Sequence, residues 1–357
     1  MKRFLQSFAL LLVALMAPTA ASAADVQVAD GVYQDGSTQC ITSSVTANSE
    51  LGDVNNDGNV NIADATDLID YLLDGDESQI NLINADTDLN GSIGIADVTE
   101  IIDYLFNGHW SWEETQPVTE TFTVNGVTFT MVAVWGGTFT MGGTAEQGSD
   151  ALPLEFPLHQ VTLSSYCIGQ TEVTQELWQA VMGSNPSYCN GGGFGTNLQR
   201  PVEQVSWDDC QTFISKLNQM TGRTFRLPTE AEWEFAARGG RHSMGHKYAG
   251  SNEIDDVAWY RFNNGISTQS VATRVSNELG IYDMSGNVWE WCQDWFGRYS
   301  SEPQTNPVGP TVVEDEYPER VSRGGGWNSG LWSCRVSCRS FSVPDLRTNN
   351  QGLRLAL

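Results

Sequence analysis

Apolar residues fill positions 4–16 almost without interruption, directly after Lys2 and Arg3. Such a run is too short for a membrane-spanning helix, which needs roughly 20 apolar residues. Ala21-Ser22-Ala23 then provides the small–x–small pattern of a signal-peptidase site. We therefore expect residues 1–23 to be a cleaved signal peptide and the protein to be secreted or held at the cell surface. Residues 24–50 show no period and predict a flexible tail.

A second pattern occurs twice, 33 residues apart, between residues 51 and 107. Apolar side chains recur there at positions i, i+1, i+4 and i+5, which is one face of a helix. The first set is Leu68, Ile69, Leu72 and Leu73, and the second is Ile101, Ile102, Leu105 and Phe106. The repeat predicts two similar helices in one small module, followed by a polar linker at residues 108–118.

Residues 119–357 show mixed patterns and predict one large α+β domain. Strands are expected at residues 122–134, with a turn at Asn125-Gly126, and at residues 138–141 and 160–168. Three helices are indicated by their N-caps, which are Thr174, Ser206 and Thr229. From Gly240 onward, Gly and Asn residues among many aromatics predict mostly irregular structure.

Charge changes this picture in the first half of the chain. The net charge is −26, and no Lys or Arg occurs between Arg3 and Arg200. Nucleic acid and anionic membranes are therefore excluded as partners of this part. A carboxylate-rich stretch without cationic residues indicates either disorder or bound metal, and the spacing of the acids decides between them.

The acidic residues that precede each predicted helix have the spacing of a calcium loop. Loop positions 1, 3, 5 and 12 supply side-chain oxygens, position 6 is a Gly that permits a sharp turn, and position 7 supplies a backbone carbonyl. The candidate ligands are Asp53, Asn55, Asp57, Asn59 and Asp64 in the first loop, and Asp86, Asp88, Asn90, Ser92 and Asp97 in the second. An all-oxygen ligand set favours calcium.

This duplicated loop–helix unit, with Asp at position 12 and no entering helix, resembles a type I dockerin. The resemblance implies calcium as cofactor and a cohesin-like or cell-surface protein as partner. Positions 10 and 11, which choose the partner in that family, correspond to Ile62-Ala63 and Ile95-Ala96. Many dockerins carry hydroxyl residues there, so we expect a different partner surface.

Seven ordered segments of the large domain resemble the formylglycine-generating enzyme (sulfatase-modifying factor) family, whose fold is related to C-type lectins. They are residues 136–142, 172–174, 201–207, 226–234, 280–291, 323–327 and 352–355. The resemblance implies a copper-dependent oxidase that converts a substrate cysteine to formylglycine.

The copper centre of that family uses two cysteines with C-x-x-x-x-C spacing. Cys334 and Cys338 have C-x-x-x-C spacing, and alignment of the flanking motifs places the two family positions on Gly326 (or Ser329) and Leu331. We therefore expect an exported accessory or binding protein that lacks the copper–cysteine pair. The alternative remains a copper-dependent oxidoreductase with a displaced Cys334/Cys338 site.

Two further groups of site residues follow from the same resemblance. Asn287 and Glu290 resemble part of a family calcium site, with a capped turn that binds no ion as the equal alternative. A cleft for a peptide or glycan is expected to be lined by Trp289, Trp327, Asn328, Arg335 and Arg339. The chain also has seven cysteines, so at least one is left unpaired within the chain.

Overall fold

The structure is a computed structural model, and it describes residues 51–75, 80–87, 93–107, 118–311 and 318–357. The chain divides into two compact units, of which one includes residues 43–116 and the other residues 117–357. Within the described ranges, no helix is both long enough and apolar enough to cross a membrane. The predicted signal peptide and the tail at residues 24–50 lie outside these ranges.

The smaller unit contains the two helices that the repeat predicts. They are α1 (Ile62–Asp74) and α3 (Ile95–Asn107), and the short α2 (Leu82–Ala85) lies between them in the sequence. Asn61 and Asp64 form a capping box at the start of α1, and Gly75 ends it in the left-handed conformation. Leu68, Ile69, Ile101 and Ile102 meet in one small core, whereas Leu72, Leu105 and Phe106, which were expected on the same faces, are exposed.

The larger unit is built on three small sheets. β1 (Thr119–Val124), β2 (Val127–Val134) and β5 (Tyr166–Gly169) form the first sheet in the order β1-β2-β5. β3 (Gly137–Met141), β4 (His159–Leu163) and β7 (Gln304–Thr305) form the second in the order β3-β4-β7. β6 (Trp289–Trp295), β8 (Arg320–Arg323), β9 (Arg339–Ser342) and β10 (Gln351–Leu353) form the third in the order β10-β6-β8-β9.

Three helices of this unit begin where the sequence predicts them, and a fourth was not predicted. The three are α4 (Gln175–Met182), α5 (Trp207–Thr221) and α6 (Glu230–Ala237), and the fourth is the short α7 (Ile254–Val257). The hydroxyls of Thr174, Ser206 and Thr229 each accept a hydrogen bond from a backbone N–H of the first turn. Short 3-10 turns are found at Ala145–Asp150, Pro153–Glu155, Gly192–Phe194, Gly240–His242 and Leu331–Cys334.

Two strand predictions need correction. The segment at residues 160–168 is two strands, because the chain turns at Ser164-Ser165 and β5 pairs with β2 while β4 pairs with β3. The region after Gly240 contains the whole third sheet, which its Gly- and Asn-rich sequence did not predict. The Asn125-Gly126 hairpin turn is confirmed, with both residues at positive φ.

Charged side chains are buried inside this unit as ion pairs. Arg323, Arg335 and Arg354 are fully buried. Their guanidinium groups pair with Glu234, Glu155 and Glu290 at 2.7, 2.6 and 2.7 Å. A buried charge that loses its partner is strongly destabilising, so these pairs constrain which elements can pack together.

Replacement of Arg354 by Met is expected to lower the free energy of unfolding by about 3–5 kcal/mol, because it leaves the Glu290 carboxylate buried and unpaired. Urea unfolding followed by tryptophan fluorescence measures this in the large unit, since residues 51–107 contain no Trp. Arg347→Met is the control. Arg347 pairs with Asp209 in a largely exposed position, and a change below about 1 kcal/mol is expected there. Equal stability of the two variants would contradict the conclusion that the buried Glu290–Arg354 pair stabilises the large unit.

Candidate functional site

The first acidic loop folds around the carboxylate of its last predicted ligand. Asp64 is completely buried. Its Oδ1 accepts hydrogen bonds from the N–H groups of Val54 (2.8 Å) and Asn55 (3.2 Å), and its Oδ2 accepts one from Asn61 (2.8 Å). These bonds connect the start of the loop to the start of α1.

The remaining predicted ligands of this loop also turn toward its centre. Asp53 accepts hydrogen bonds from the N–H groups of Asp57 and Gly58, both at 2.9 Å. The side chain of Asn55 accepts one from Asp57, and that of Asp57 accepts one from Asn59. Gly58 has φ +89°, and position 6 of a calcium loop needs a glycine because the sharp turn there requires a positive φ.

The donor set fits a calcium ion. Burial raises the pKa of Asp64, and the nearby negative charge of Asp53 adds to the rise. No Lys or Arg lies between Arg3 and Arg200 to offset this charge, and a divalent cation would offset it. Within the described ranges, no three acidic, His or Cys side chains already converge on one metal position. The carboxylate oxygens that accept the loop amides keep further lone pairs with which an ion can be bound.

The second loop repeats the contacts of the first. Asp97 is completely buried. Its Oδ1 accepts a hydrogen bond from Thr87 N–H at 2.8 Å and its Oδ2 accepts one from Gly94 N–H at 2.7 Å. Val54 and Asn61 occupy the equivalent positions, 33 residues earlier. The start of this loop, Asp86, is described, whereas its other predicted ligands, Asp88, Asn90 and Ser92, lie outside the described residues.

The predicted ligands of the calcium site at Asn287 and Glu290 both have protein partners, and the site stays a prediction. The Oδ1 of Asn287 accepts a hydrogen bond from Gln269 N–H at 3.0 Å, and its amide nitrogen donates to Glu172 at 2.8 Å. Glu290 accepts bonds from the Arg354 guanidinium and, at 2.6 Å, from the indole N–H of Trp233. The ligand atoms that were expected to face an ion are therefore occupied by protein groups.

Sequence reasoning missed an acidic cluster at this place. Glu172, Asp283 and Glu290 are all buried and share a single cation, Arg354. Burial raises the pKa of Asp283 to about 6, with a further contribution from the Glu290 charge, and the Oδ1 of Asp283 has no partner among the described residues. The cluster carries more negative charge than Arg354 balances, so it holds either a proton or a cation.

Three of the five predicted cleft residues lie together. Trp289 and Trp327 are half-buried and Asn328 is exposed. Asn350 connects them, because its backbone carbonyl accepts a bond from Trp289 N–H and its side-chain amide donates to Asn328 Oδ1, both at 2.8 Å. The indole N–H of Trp327 donates to the Asn349 carbonyl at 2.8 Å, which fixes the ring. We call Trp289, Trp327, Asn328 and Asn350 the tryptophan face.

Arg335 and Arg339 do not belong to the tryptophan face, and their prediction as cleft residues needs correction. Arg335 is fully buried, and its guanidinium contacts Glu155 at 2.6 and 2.9 Å. Arg339 is buried against Glu230, at 2.5 and 2.7 Å. The abundant carboxylates hold both guanidinium groups inside the unit.

The positions that the sequence predicts for the family's copper cysteines all contact neighbouring groups. A Cβ at Gly326 would lie 3.2 Å from Asn350 Cβ and 3.4 Å from Trp289 Cδ1. The Ser329 hydroxyl accepts a bond from Gly326 N–H at 3.0 Å. Leu331 packs against a buried cluster that contains Tyr248 and Tyr260.

Cys334 and Cys338, the alternative thiols, are buried and unbridged. Burial raises the pKa of Cys334, and it raises the pKa of Cys338 to about 11 against the lowering effect of Arg335. Both side chains are therefore neutral thiols at physiological pH. Cys189, Cys210 and Cys292 are also buried and free, whereas Cys167 is disulfide-bonded.

Two family models match the chain. Residues 115–357 match the sulfatase-modifying factor enzyme 1-like domain, and residues 51–106 match the dockerin type I domain. The chain belongs to the sulfatase-modifying factor enzyme 1-like family and carries a type I dockerin module in front of that domain. Both resemblances, and the α+β fold class, are confirmed.

Individual relatives agree with this assignment. A protein named chaperone protein LppX, from Paenibacillus barcinonensis, is 37% identical over 245 residues, which cover 55% of this chain and 81% of the relative. Formylglycine-generating enzyme of Streptomyces coelicolor is 29% identical over 285 residues, which cover 62% and 87%.

Solved structures show the same fold. Treponema denticola variable protein 1 superposes with a TM-score of 0.60 and 34% identity over 68% of this chain and 99% of that one. PvdO from Pseudomonas aeruginosa superposes with a TM-score of 0.55 and 25% identity over 64% and 93%.

Asp64→Asn is expected to weaken calcium binding by the full chain at least roughly tenfold, because it removes charge from the closing ligand of the first loop. Isothermal titration of chelator-treated protein with calcium measures this. Asp74→Asn, an exposed change at the end of α1, is the matched control and should bind as the unchanged protein does. Equal affinities for all three proteins would show that Asp64 is not a ligand.

Proposed function

We propose that this protein is an exported accessory protein that binds a ligand on the tryptophan face and has no copper–cysteine chemistry. Its dockerin module attaches it to a cohesin-like or cell-surface partner. The observation that carries the proposal is that neither register of the flanking motifs puts a thiol at both positions where the family holds copper. Counted back from the later motif, the two positions are Gly326 and Leu331; counted forward from Trp327, the first is Ser329, whose C-x-x-x-x-C partner is Cys334.

The surroundings of Gly326 support this proposal. A cysteine side chain at this position would need space that Asn350 and Trp289 occupy, at 3.2 and 3.4 Å from the position of a Cβ. Such contacts are tighter than ordinary van der Waals separations, so a Gly→Cys change would move the tryptophan face. The local packing is matched to a glycine and to the two indole rings beside it.

The buried thiols argue against the alternative oxidoreductase. Copper binds the thiolate form of cysteine, and burial favours the neutral thiol. Cys334 packs with Tyr248 and Tyr260 in an apolar cluster, and its Sγ lies 3.8 Å from the Gly330 carbonyl. A thiol in this position acts as a small hydrophobic side chain.

The tryptophan face has the composition of a recognition surface. Two fixed indole rings provide apolar area at low cost in conformational entropy, and the Asn328 and Asn350 amides provide hydrogen-bonding groups. Peptides and glycans both match this chemistry. The similarity to a relative named as a chaperone supports an accessory role and favours a polypeptide ligand.

The dockerin module supplies the attachment. Type I dockerins bind calcium and cohesin partners, and the partner-choosing positions are accessible here, with Ile62 48% and Ile95 66% exposed. Since these side chains are apolar where many dockerins have hydroxyl groups, the partner surface presents apolar groups at the matching positions. Export through the signal peptide at residues 1–23 brings the protein to the compartment where such partners occur.

The test is conversion of cysteine to formylglycine in a sulfatase-motif peptide, with purified full chain, copper and oxygen, read by mass spectrometry. No aldehyde is expected, because no thiolate pair is available to hold copper. Stabilisation of the same sample by calcium shows that the protein is folded. Aldehyde that disappears in Cys334→Ser or Cys338→Ser would overturn the proposal and establish the oxidoreductase.

A further inference from the structure

A half-enclosed cavity of about 240 Å³ lies in the large unit, away from the residues that form the tryptophan face. It is bordered by the end of β3, by β4, by the start of α6, by β6 and by the loop at residues 297–310. Residues that line it include His159, Glu230, Asp294, Tyr299 and Arg339. The proposed function uses none of them.

Asp294 contributes one unsatisfied acceptor to this cavity. The residue is only 4% exposed. Its Oδ2 accepts a hydrogen bond from Glu230 N–H at 2.9 Å, at the start of α6. Its Oδ1 makes no hydrogen bond within the described part of the chain, and Asp294 forms no ion pair there. An oxygen in this position, without a protein donor, is satisfied by water, a ligand or a proton that enters from the cavity.

His159 contributes the second acceptor. Its side chain is 5% exposed, and its Nδ1 lies 3.1 Å from the Pro157 carbonyl. A carbonyl only accepts, so Nδ1 carries the hydrogen, and in the neutral ring Nε2 is then an acceptor. Nε2 has no hydrogen-bond partner among the described residues. The imidazole is held against the Tyr299 ring, with ring centres 4.7 Å apart.

The other buried charged groups at the cavity are already matched, and Arg298, which also lines it, is exposed. Arg339 binds both oxygens of Glu230, and Arg323 binds Glu230 and Glu234 at 2.9 and 2.7 Å. Tyr299 donates its hydroxyl to Glu230 and accepts from Arg323. Among the buried titratable side chains that the structure describes here, the cavity therefore presents two acceptors, one of them a carboxyl, and no free donor.

We propose that this cavity binds a primary ammonium group, which donates hydrogen bonds to Asp294 Oδ1 and His159 Nε2 and neutralises the Asp294 carboxylate. An ammonium group carries three donors and a positive charge. It therefore supplies donors to both acceptors and a positive charge that balances the Asp294 carboxylate. An anion or a neutral acceptor would supply neither the donors nor the charge.

Binding is expected to depend on pH, because burial raises the pKa of Asp294 to about 8 and the Glu230 charge adds to the rise. The other charged groups that act on Asp294 are Glu232, Arg339, Arg320 and Arg226. Arg320 forms no ion pair with Asp294, since the Arg320 guanidinium stacks between Trp207 and Trp295.

Below the pKa that Asp294 has in the folded protein, its carboxyl group is protonated and the ammonium group has to displace that proton. Affinity should therefore rise roughly tenfold or more from pH 6.5 to pH 9, where alkylamines remain protonated as lysine does.

The probe is n-butylamine, titrated calorimetrically into the full chain at pH 9, with n-butanol as the uncharged probe of similar size. The amine should bind at least tenfold more tightly than the alcohol, and Asp294→Asn should remove this preference. Asp345→Asn, an exposed change in the same unit, should retain it. Equal binding of amine and alcohol, no binding of either, or full binding by Asp294→Asn would overturn the proposal.

The pH series on the unchanged protein keeps the test valid if Asp294→Asn does not fold. Proton release on binding at pH 7, measured in two buffers of different ionisation enthalpy, is expected, and its absence contradicts the proposal. A blocked peptide with one lysine identifies the source of the ammonium group. Tighter binding than n-butylamine indicates a protein lysine, and weaker binding indicates a small free amine.

Discussion

The buried ion pair between Glu290 and Arg354 holds the large unit together at its centre. Arg354 follows β10 and Glu290 lies in β6, and the pair joins these neighbouring parallel strands from within. The same guanidinium donates to the Gly169 carbonyl of β5 and to the Tyr282 carbonyl, both at 2.8 Å. The indole N–H of Trp233 donates to Glu290, and this hydrogen bond connects α6 to the ion pair. Because neither charge can be buried alone, these five segments have to assemble together.

This arrangement also explains how the tryptophan face keeps its form. Trp289 is the residue before Glu290, and its backbone pairs with β10, which ends one residue before Arg354. The face is therefore attached to the most constrained strands of the unit, while its outer residues come from the loops at residues 326–328 and 348–350.

Local signals made much of the fold predictable, and long-range contacts account for what was missed. The N-caps at Thr174, Ser206 and Thr229 and the Asn125-Gly126 turn are decided by neighbouring residues, and all were predicted correctly. The third sheet depends on pairing between strands far apart in sequence, so its short strands gave no recognisable period. Arg335 and Arg339 were assigned to a cleft for the same reason, because their partners Glu155 and Glu230 lie more than 100 residues away. The buried acids Glu172 and Asp283, which lie close to Glu290, were missed because they come from other motifs.

The central claim is that this member of the family has no copper site made of cysteine thiolates. Titration of the reduced full chain with Cu(I), in competition with a chromogenic Cu(I) chelator, tests it most directly. The account predicts that the folded protein takes no copper from a competitor of thiolate-like affinity, and that Cys334→Ser and Cys338→Ser behave as the unchanged protein does. One equivalent of tightly held Cu(I), lost in either variant, would contradict the account.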